Sequence, residues 1–284
     1  PQSVAVYLID EETTNITRQF INQIPSAEYY VAIDSDNEKY GLVDKSGAWV
    51  IEPEFSRIDV TEAKNIFRMQ TEDKDASDTS GRIIFQYYLV SPGSKTLKPL
   101  PFESVNEKIT DELILVQRET NGPYGVYNIK ADRFVIPMKF VNPEIVDNLF
   151  IASLGERTYG YEPRFGVYSL QGKEILAPKY KYIEARDGII YAQRENREEF
   201  TIGGKKLTPN GYKAIGHFYQ KQPLLIRDLK SKQYKFIDRS GKILKFALPY
   251  DEVKPFSNGM AVVVKDGKYG AINLSGKLVI PLMY

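Results

Sequence analysis

At 284 residues and a formal charge of +1, the chain has room for one large β domain or two smaller ones and has no net field to draw nucleic acid or an anionic membrane. Its 42% hydrophobic and 26% charged content allows a buried core. The absence of cysteine removes disulfides, thiolate metal sites and cysteine nucleophiles, and no apolar run reaches the roughly 18 residues of a membrane-spanning helix.

In chain order, residues 4–19 (VAVYLIDEETTNITRQ) read as a β-hairpin, a worn partial copy of a unit that then recurs to residue 284. The recurring phrase is clearest in KYGLVDKSGAWVIEPEF (39–55) and KYGAINLSGKLVIPLMY (268–284), identical at seven of 17 positions. It returns as PYGVYNIKADRFVIPMKF (123–140), RFGVYSLQGKEILAPKY (164–180) and YKFIDRSGKILKFALPY (234–250). Worn forms are YYLVSPGSKTLKPLPF (87–102) and FTIGGKKLTPNGY (200–212). The leading aromatics Tyr40, Tyr88, Tyr124, Phe165, Phe200, Phe236 and Tyr269 are 48, 36, 41, 35, 36 and 33 residues apart, a spacing that suits three or four short strands.

Two further strands precede each phrase, among them FINQIP with YYVAI, FSRID with IFRMQ, FESVN with LILVQ, YKYIE with IIYAQR, and YDEVKPF with MAVVVK. Asn258-Gly259 and Asp266-Gly267 are strong hairpin signals, so the unit is a four-stranded meander. Gly47, Gly172, Gly241 and Gly276 sit where a tight turn needs positive φ. Gly41, Gly125, Gly166 and Gly270 follow the aromatic inside a strand, which implies close approach by a neighbour, expected here to be an aromatic ring. Pro53, Pro137, Pro178 and Pro281 are expected to end the last strand, because proline cannot donate to the ladder.

The pattern of aromatic-Gly, hydrophobic pair, Asp, Lys-x-Gly, hydrophobic strand and Pro-x-aromatic in KYGLVDKSG, VIPMKF, ILAPKY and FSNGMAVV resembles the WG-repeat (KWG-repeat) family over about residues 20–284. Tyr or Phe replaces the family's Trp in every copy, and the single Trp, Trp49, lies in the next strand. The resemblance implies a non-enzymatic repeat module, often bacterial and at the envelope, and brings no catalytic residues. With residue 1 being Pro, a periplasmic, secreted or cell-surface setting with a signal or anchor removed is expected. The expected fold is all-β: seven tandem four-stranded antiparallel repeats over 20–284 forming one domain, as a seven-bladed β-propeller or, alternatively, an open β-solenoid.

Function is expected where the units differ. The turn between second and third strands varies from KDGK (265–268) to TEDKDASDTSG (71–81), LGERTYGYEP (154–163) and RENREEF (194–200), and equivalent insertions emerge on one face. Across the seven units these turns (35–39, 72–80, 119–123, 155–164, 195–199, 228–233 and 266–268) sum to −6 in a chain of +1. Such an acidic face argues against nucleic acid and favours a cationic partner, a metal ion or a neutral sugar; the expected module presents it to a protein or glycan. Arg157, Tyr159, Tyr161 and Arg164 are the candidate binding residues, two rings and two guanidiniums able to stack on a sugar or grip a peptide. Asp34, Asp36 and Glu38, with Asp73, Asp75 and Asp78, are spaced like calcium ligands but lack the glycine and the terminal glutamate of a calcium loop, so solvated turn acids are the reading and no metal or cofactor is expected. His217, the only histidine, has no cysteine or nucleophile-elbow partner and reads as a turn or strand-end residue. A propeller glycosidase or lyase using two loop carboxylates, and a structural spacer of a larger envelope protein, are the alternative functions.

Overall fold

The computed structural model describes residues 6–9, 16–22, 28–34, 36–72, 83–119, 122–154, 162–195, 197–219 and 221–283; for 6–9, 16–22, 72 and 83–84 it describes the strand backbone alone. Among the described residues the chain is all β, every pairing antiparallel, with no helix. It divides into two compact units, Pro1–Val141 and Asn142–Tyr284.

In the first unit, β1 (Val6–Ile9), β2 (Ile16–Asn22), β3 (Tyr30–Asp34), β4 (Tyr40–Val43) and β5 (Trp49–Phe55) pair in sequence order as one five-stranded sheet. A second sheet holds β6 (Arg57–Val60), β7 (Ile66–Glu72), β8 (Ile83–Val90) and β9 (Leu97–Pro99). β10 (Ser104–Lys108), β11 (Leu113–Gln117), β12 (Tyr124–Asn128) and β13 (Arg133–Val146) follow in the same meander. The second unit continues with β14 (Leu149–Leu154), β15 (Phe165–Ser169) and β16 (Glu174–Tyr180). Then come three sheets: β17 (Tyr182–Arg186), β18 (Ile189–Gln193) and β19 (Arg197–Thr201); β20 (Tyr212–Ile215), β21 (Leu224–Asp228) and β22 (Tyr234–Ile237); and β23 (Glu252–Val253), β24 (Met260–Lys265), β25 (Lys268–Asn273) and β26 (Leu278–Ile280).

The period-2 alternation of each second strand explains how sheet stacks on sheet within a unit. In β7, Phe67 and Met69 enter a core with Leu42, Ile51 and Phe55 of the sheet before, while Ile66 faces Phe102, Ile114 and Tyr127 of the sheet after. In β18, Ile190 and Ala192 pack with Leu149, Ile151 and Val167, and Ile189 and Tyr191 pack with Leu224 and Ile226. β21 repeats the arrangement, with Leu225 turned towards Val253, Ala261 and Val263. In the last sheet Ala261, Val263 and Ile272 are buried on one face, whereas Met260 (46%), Val262 (43%) and Tyr269 (52%) on the other are exposed.

The turn chemistry follows the sequence. Asn258-Gly259 and Asp266-Gly267 both take positive φ at both positions, as a two-residue hairpin requires. In the Asp-x-Ser-Gly turn, Asp44 Oδ1 accepts from the amides of Ser46 (2.8 Å) and Ala48 (3.1 Å) and from Ser46 Oγ (2.6 Å), and Gly47 holds φ 82°. Asp238 with Ser240 and Lys242, and Asn273 with Ser275 and Lys277, reproduce those bonds.

Four expectations are corrected. The prolines do not end the last strand: β5, β13 and β16 run through Pro53, Pro137 and Pro178, and only β26 stops before Pro281. They sit in a bulge, where partners slip from Tyr40↔Phe55 to Leu42↔Ile51, from Tyr124↔Phe140 to Val126↔Ile136 and from Phe165↔Tyr180 to Val167↔Leu176. A bulge interrupts the ladder, so no proline N–H is missed there. Second, what approaches the in-strand glycines is chiefly this bulged backbone. A Cβ on Gly41, Gly125, Gly166 or Gly270 would stand 2.5, 2.7, 2.9 or 2.7 Å from the carbonyl oxygen of Ile51, Ile136, Leu176 or Ile280, and an aromatic ring, Trp49, is among the three nearest contacts at Gly41 alone. Third, the meander shrinks to three strands at β17–β19 and β20–β22, where the fourth is a single bridge, Phe200↔Lys206 or Ile237↔Ile243. Fourth, the N-terminal hairpin does not stop at residue 19: β2 crosses that boundary, pairing Gln19 and Phe20 with β1 on one side and β3 on the other.

Candidate functional site

The link from a fourth strand to the next first strand is one residue long at Ser56 and at Lys181. In a meander this link lies at the same end as the turn between second and third strands, so each variable loop has a link beside it. In the second unit this geometry produces a pocket of about 410 Å³ lined by Arg164, Lys179, Lys181, Arg194, Glu195 and Glu198. Arg164 leads into β15 from the 154–163 insertion, Lys179 and Lys181 flank the end of β16, and Arg194, Glu195 and Glu198 belong to the loop and strand after β18.

The buried Tyr180 lies between Lys179 and Lys181 and packs edge-on against Phe200 at 6.1 Å. Lys179 Nζ stands 5.6 Å from the centre of the Tyr180 ring. Burial, and then the charge of Glu198, to which it is hydrogen-bonded, raise the Tyr180 hydroxyl pKa. Glu198 is also ion-paired to Lys206. Beside the pocket, Glu162 bridges Arg164 (2.9 Å) and Lys181 (4.0 Å), and the hydrogen bond from Arg164 holds its carboxyl below the usual range. Four cations therefore face two carboxylates in the lining itself. The acidic count of the loops omits Lys179 at the end of β16 and Lys181 in the link, which turn this part of the loop end basic.

Of the four candidate binding residues, Arg164 is placed in this pocket; Arg157, Tyr159 and Tyr161 lie outside the described residues. Lys179, Lys181 and Arg194 were not singled out from sequence. The signal that could have found them is the constant link, which any meander sets next to the variable loop. Of the acidic candidates, Asp73, Asp75 and Asp78 lie outside the described residues. Asp34 closes its own turn, its Oδ1 accepting from the Asp36 amide at 3.1 Å, and its backbone oxygen accepts from the Glu38 amide at 2.9 Å. Among the described residues no three His, Cys, Asp or Glu side chains group as a metal site.

His217 follows the end of β20, as expected of a strand-end residue. Arg197 Nη1 lies 3.1 Å from its Nε2, and its ring stands edge-on to Tyr191 at 5.0 Å. Burial first, then the nearby charges of Arg197 and Arg186, lower its pKa, so the ring is neutral at pH 7 and its Nε2 accepts from Arg197. Arg197 Nε also meets the fully buried Glu199 at 3.1 Å, whose other oxygen accepts from Thr208 Oγ1. Burial outweighs both hydrogen bonds and raises the Glu199 pKa.

The model of the WG-containing repeat matches residues 40–74, 236–269 and 269–284. These stretches match the WG repeat, as the sequence pattern led one to expect. They begin at the leading aromatics Tyr40, Phe236 and Tyr269, and the bulge over Gly41 recurs at Gly125, Gly166 and Gly270. No curated protein matches the chain. Among solved structures, Kluyvelomyces marxianus Hsv2 is similar at 10% identity, covering 96% of this chain and 93% of that one with a TM-score of 0.28. Apo AztD from Citrobacter koseri is similar at 14% identity, covering 89% and 77% with a TM-score of 0.24. Scores this low carry no argument about this chain's ligand.

Proposed function

We propose that this chain is a non-enzymatic binding module that engages a protein or glycan partner through the variable-loop end of its repeats, with an acidic group of the partner seated among Arg164, Lys179, Lys181 and Arg194. The observation that carries this reading is the convergence of those four cations, from three separate stretches of chain, in one open pocket above a buried tyrosine. A guanidinium fork suits a carboxylate, and two forks with two ammonium groups exceed by one charge what Glu162, Glu195 and Glu198 neutralise. Within this pocket Glu198 is engaged by Lys206 and Tyr180, which favours binding over acid–base catalysis by its two carboxylates.

A glycan and acidic-peptide array, probed with the parent chain and with an Arg164→Ala, Lys181→Ala, Arg194→Ala variant of equal thermal stability, tests this. The expected result is binding by the parent that the variant loses. Retained binding in the variant, or no binding by either protein, overturns the assignment of this pocket.

A further inference from the structure

A second cavity lies at the opposite end of the strands in the same unit, where the turns between first and second and between third and fourth strands gather. It measures about 560 Å³ and is lined by Arg186, Asp187, Phe218, Tyr219, Lys221 and Arg239. Asp187 sits in the β17–β18 turn, Phe218 to Lys221 in the loop before β21, and Arg239 in the Asp-x-Ser-Gly turn after β22.

Its positive charge is fixed in place. Arg239 Nη1 donates to the Asp187 carbonyl at 2.8 Å, and its guanidinium lies 5.7 Å from the centre of the buried Phe218 ring. Its Nε is buried with no hydrogen-bond partner, so this guanidinium has donors to spare. Arg186 is held over Tyr191 at 5.6 Å and paired to Glu184 at 3.4 Å. Among the described residues neither Arg239 nor Lys221 has a carboxylate partner. The loop carrying Lys221 is anchored by the Gln222 amide, which donates to the Tyr219 carbonyl at 2.8 Å, and by Gln222 Oε1, which accepts from the Gly259 amide at 3.4 Å. Beside these cations Tyr219 is 56% exposed.

We propose that this cavity binds a small phosphate monoester, its phosphoryl group between Arg239, Lys221 and Arg186 and its ring against Tyr219. Three cations against Asp187 and against Glu184, the partner of Arg186, leave a net +1 carried by Arg239 and Lys221, which attracts the charge of about −1.5 to −2 on a phosphate monoester at pH 7. A guanidinium meets phosphate oxygens in a fork, and a flat exposed phenol beside it offers the ring a stacking face. The volume falls within the range of small-molecule pockets. This site is independent of the loop-end pocket.

The test is titration calorimetry of the full chain with phenyl phosphate, inorganic phosphate and benzoate. Parent protein is compared with Arg239→Lys, Lys221→Gln and Tyr219→Ala, and with Lys181→Gln in the other pocket, each checked for an unchanged melting temperature. Phenyl phosphate is expected to bind, and Arg239→Lys and Lys221→Gln to weaken it about tenfold each. Tyr219→Ala should weaken phenyl phosphate and leave inorganic phosphate unchanged, benzoate should bind less well than either, and Lys181→Gln should have no effect. No heat with phenyl phosphate up to about ten millimolar overturns the site, as does binding that Arg239→Lys and Lys221→Gln leave intact or that Lys181→Gln abolishes. Equal affinity for phenyl and inorganic phosphate, untouched by Tyr219→Ala, overturns the role of the ring.

Discussion

Replacing Gly41 by alanine isolates the device that recurs at Gly125, Gly166 and Gly270. Gly41 carries no positive φ, so backbone strain does not enter; only space does. The new methyl carbon would stand 2.5 Å from the Ile51 carbonyl oxygen, 2.7 Å from the Trp49 ring and 3.0 Å from the Pro53 nitrogen. Reaching 3.0 Å, the limit that real Cβ contacts respect, requires the bulge to withdraw by about half an ångström. The bulge is pinned on both sides, by Tyr40↔Phe55 and Leu42↔Ile51, and Leu42, Ile51 and Phe55 are buried in the same core. Overpacking costs about 1–3 kcal/mol, and an obstruction made of backbone places Gly41→Ala in the upper half, about 2–3 kcal/mol. For a unit of this size each kcal/mol moves the melting temperature by about 2–4 °C, so a drop of about 4–12 °C is expected by far-ultraviolet circular dichroism. Gly203 is the control: its φ is ordinary and its nearest neighbour would be Thr201 Oγ1 at 3.8 Å. Gly203→Ala should be neutral or stabilise by about 0.4–1 kcal/mol. Gly125→Ala should resemble Gly41→Ala, and Gly166→Ala, with its closest contact at 2.9 Å, should cost less. A Gly41→Ala protein melting within about 1 °C of the parent, or a Gly203→Ala protein falling equally far, would refute the reasoning.

Two further outcomes follow from burial. The folded-state pKa of Glu199 is raised above 4.5, so the native state holds its proton more tightly than the unfolded chain, and the stability this confers is lost as pH rises from 4.5 through the folded value. Glu199→Gln, which cannot ionise, should therefore gain on the parent in melting temperature across that window and level off above it; a variant that loses ground with rising pH would contradict this. In β24, Val263→Glu should destabilise by about 3 kcal/mol or more and Val262→Glu by no more than about 0.5 kcal/mol in urea titrations, because Val263 packs with Phe236 and Phe256 while Val262 is 43% exposed. A reversed order would show that the register Val262↔Ala271, Val263↔Gly270 is wrong.

The parts of the fold legible in the sequence are those whose cause is local. Asn258-Gly259 dictates its turn because both residues accept positive φ, and Gly47, Gly172, Gly241 and Gly276 are required by a turn that closes within four residues. The bulge was not legible, although its residues were. Gly41 and Pro53 are 12 positions apart and were given separate reasons, an overlying ring and a strand end, when one event explains both. The arching of the fourth strand over the third demands a residue without a side chain beneath and tolerates a residue without an N–H above. The loss of the fourth strand after Phe200 and Phe236 was likewise hidden, because ILKF reads as a strand by propensity yet pairs only at Ile243. For the site, loop variability led to Arg164 and missed Lys179 and Lys181, since a strand end and a link of constant length draw no attention until the meander sets them beside the loop.

The Asp-x-Ser-Gly turn explains how a repeat can keep its shape while presenting different chemistry at the end opposite the loops. Its hydrogen bonds engage the first and third residues, and its backbone demands a glycine at the fourth, which leaves the second unconstrained. That second position is Lys45, Leu170, Arg239 or Leu274 in four copies. Lys45 lines a cavity of about 530 Å³ with Glu28, Tyr29 and Lys95 in the first unit; Leu170 is buried; Arg239 lines the cavity assigned to a phosphate monoester; Leu274 is exposed. Substitution there changes a cavity wall without disturbing the turn, because no bond that closes the turn comes from that side chain. A side chain as long as Arg239, reaching the Asp187 carbonyl of the preceding repeat, has therefore been placed by a position the fold does not need for itself. This is the physical ground for seeking the ligand at Arg239 rather than at its hydrogen-bonded neighbours Asp238 and Ser240.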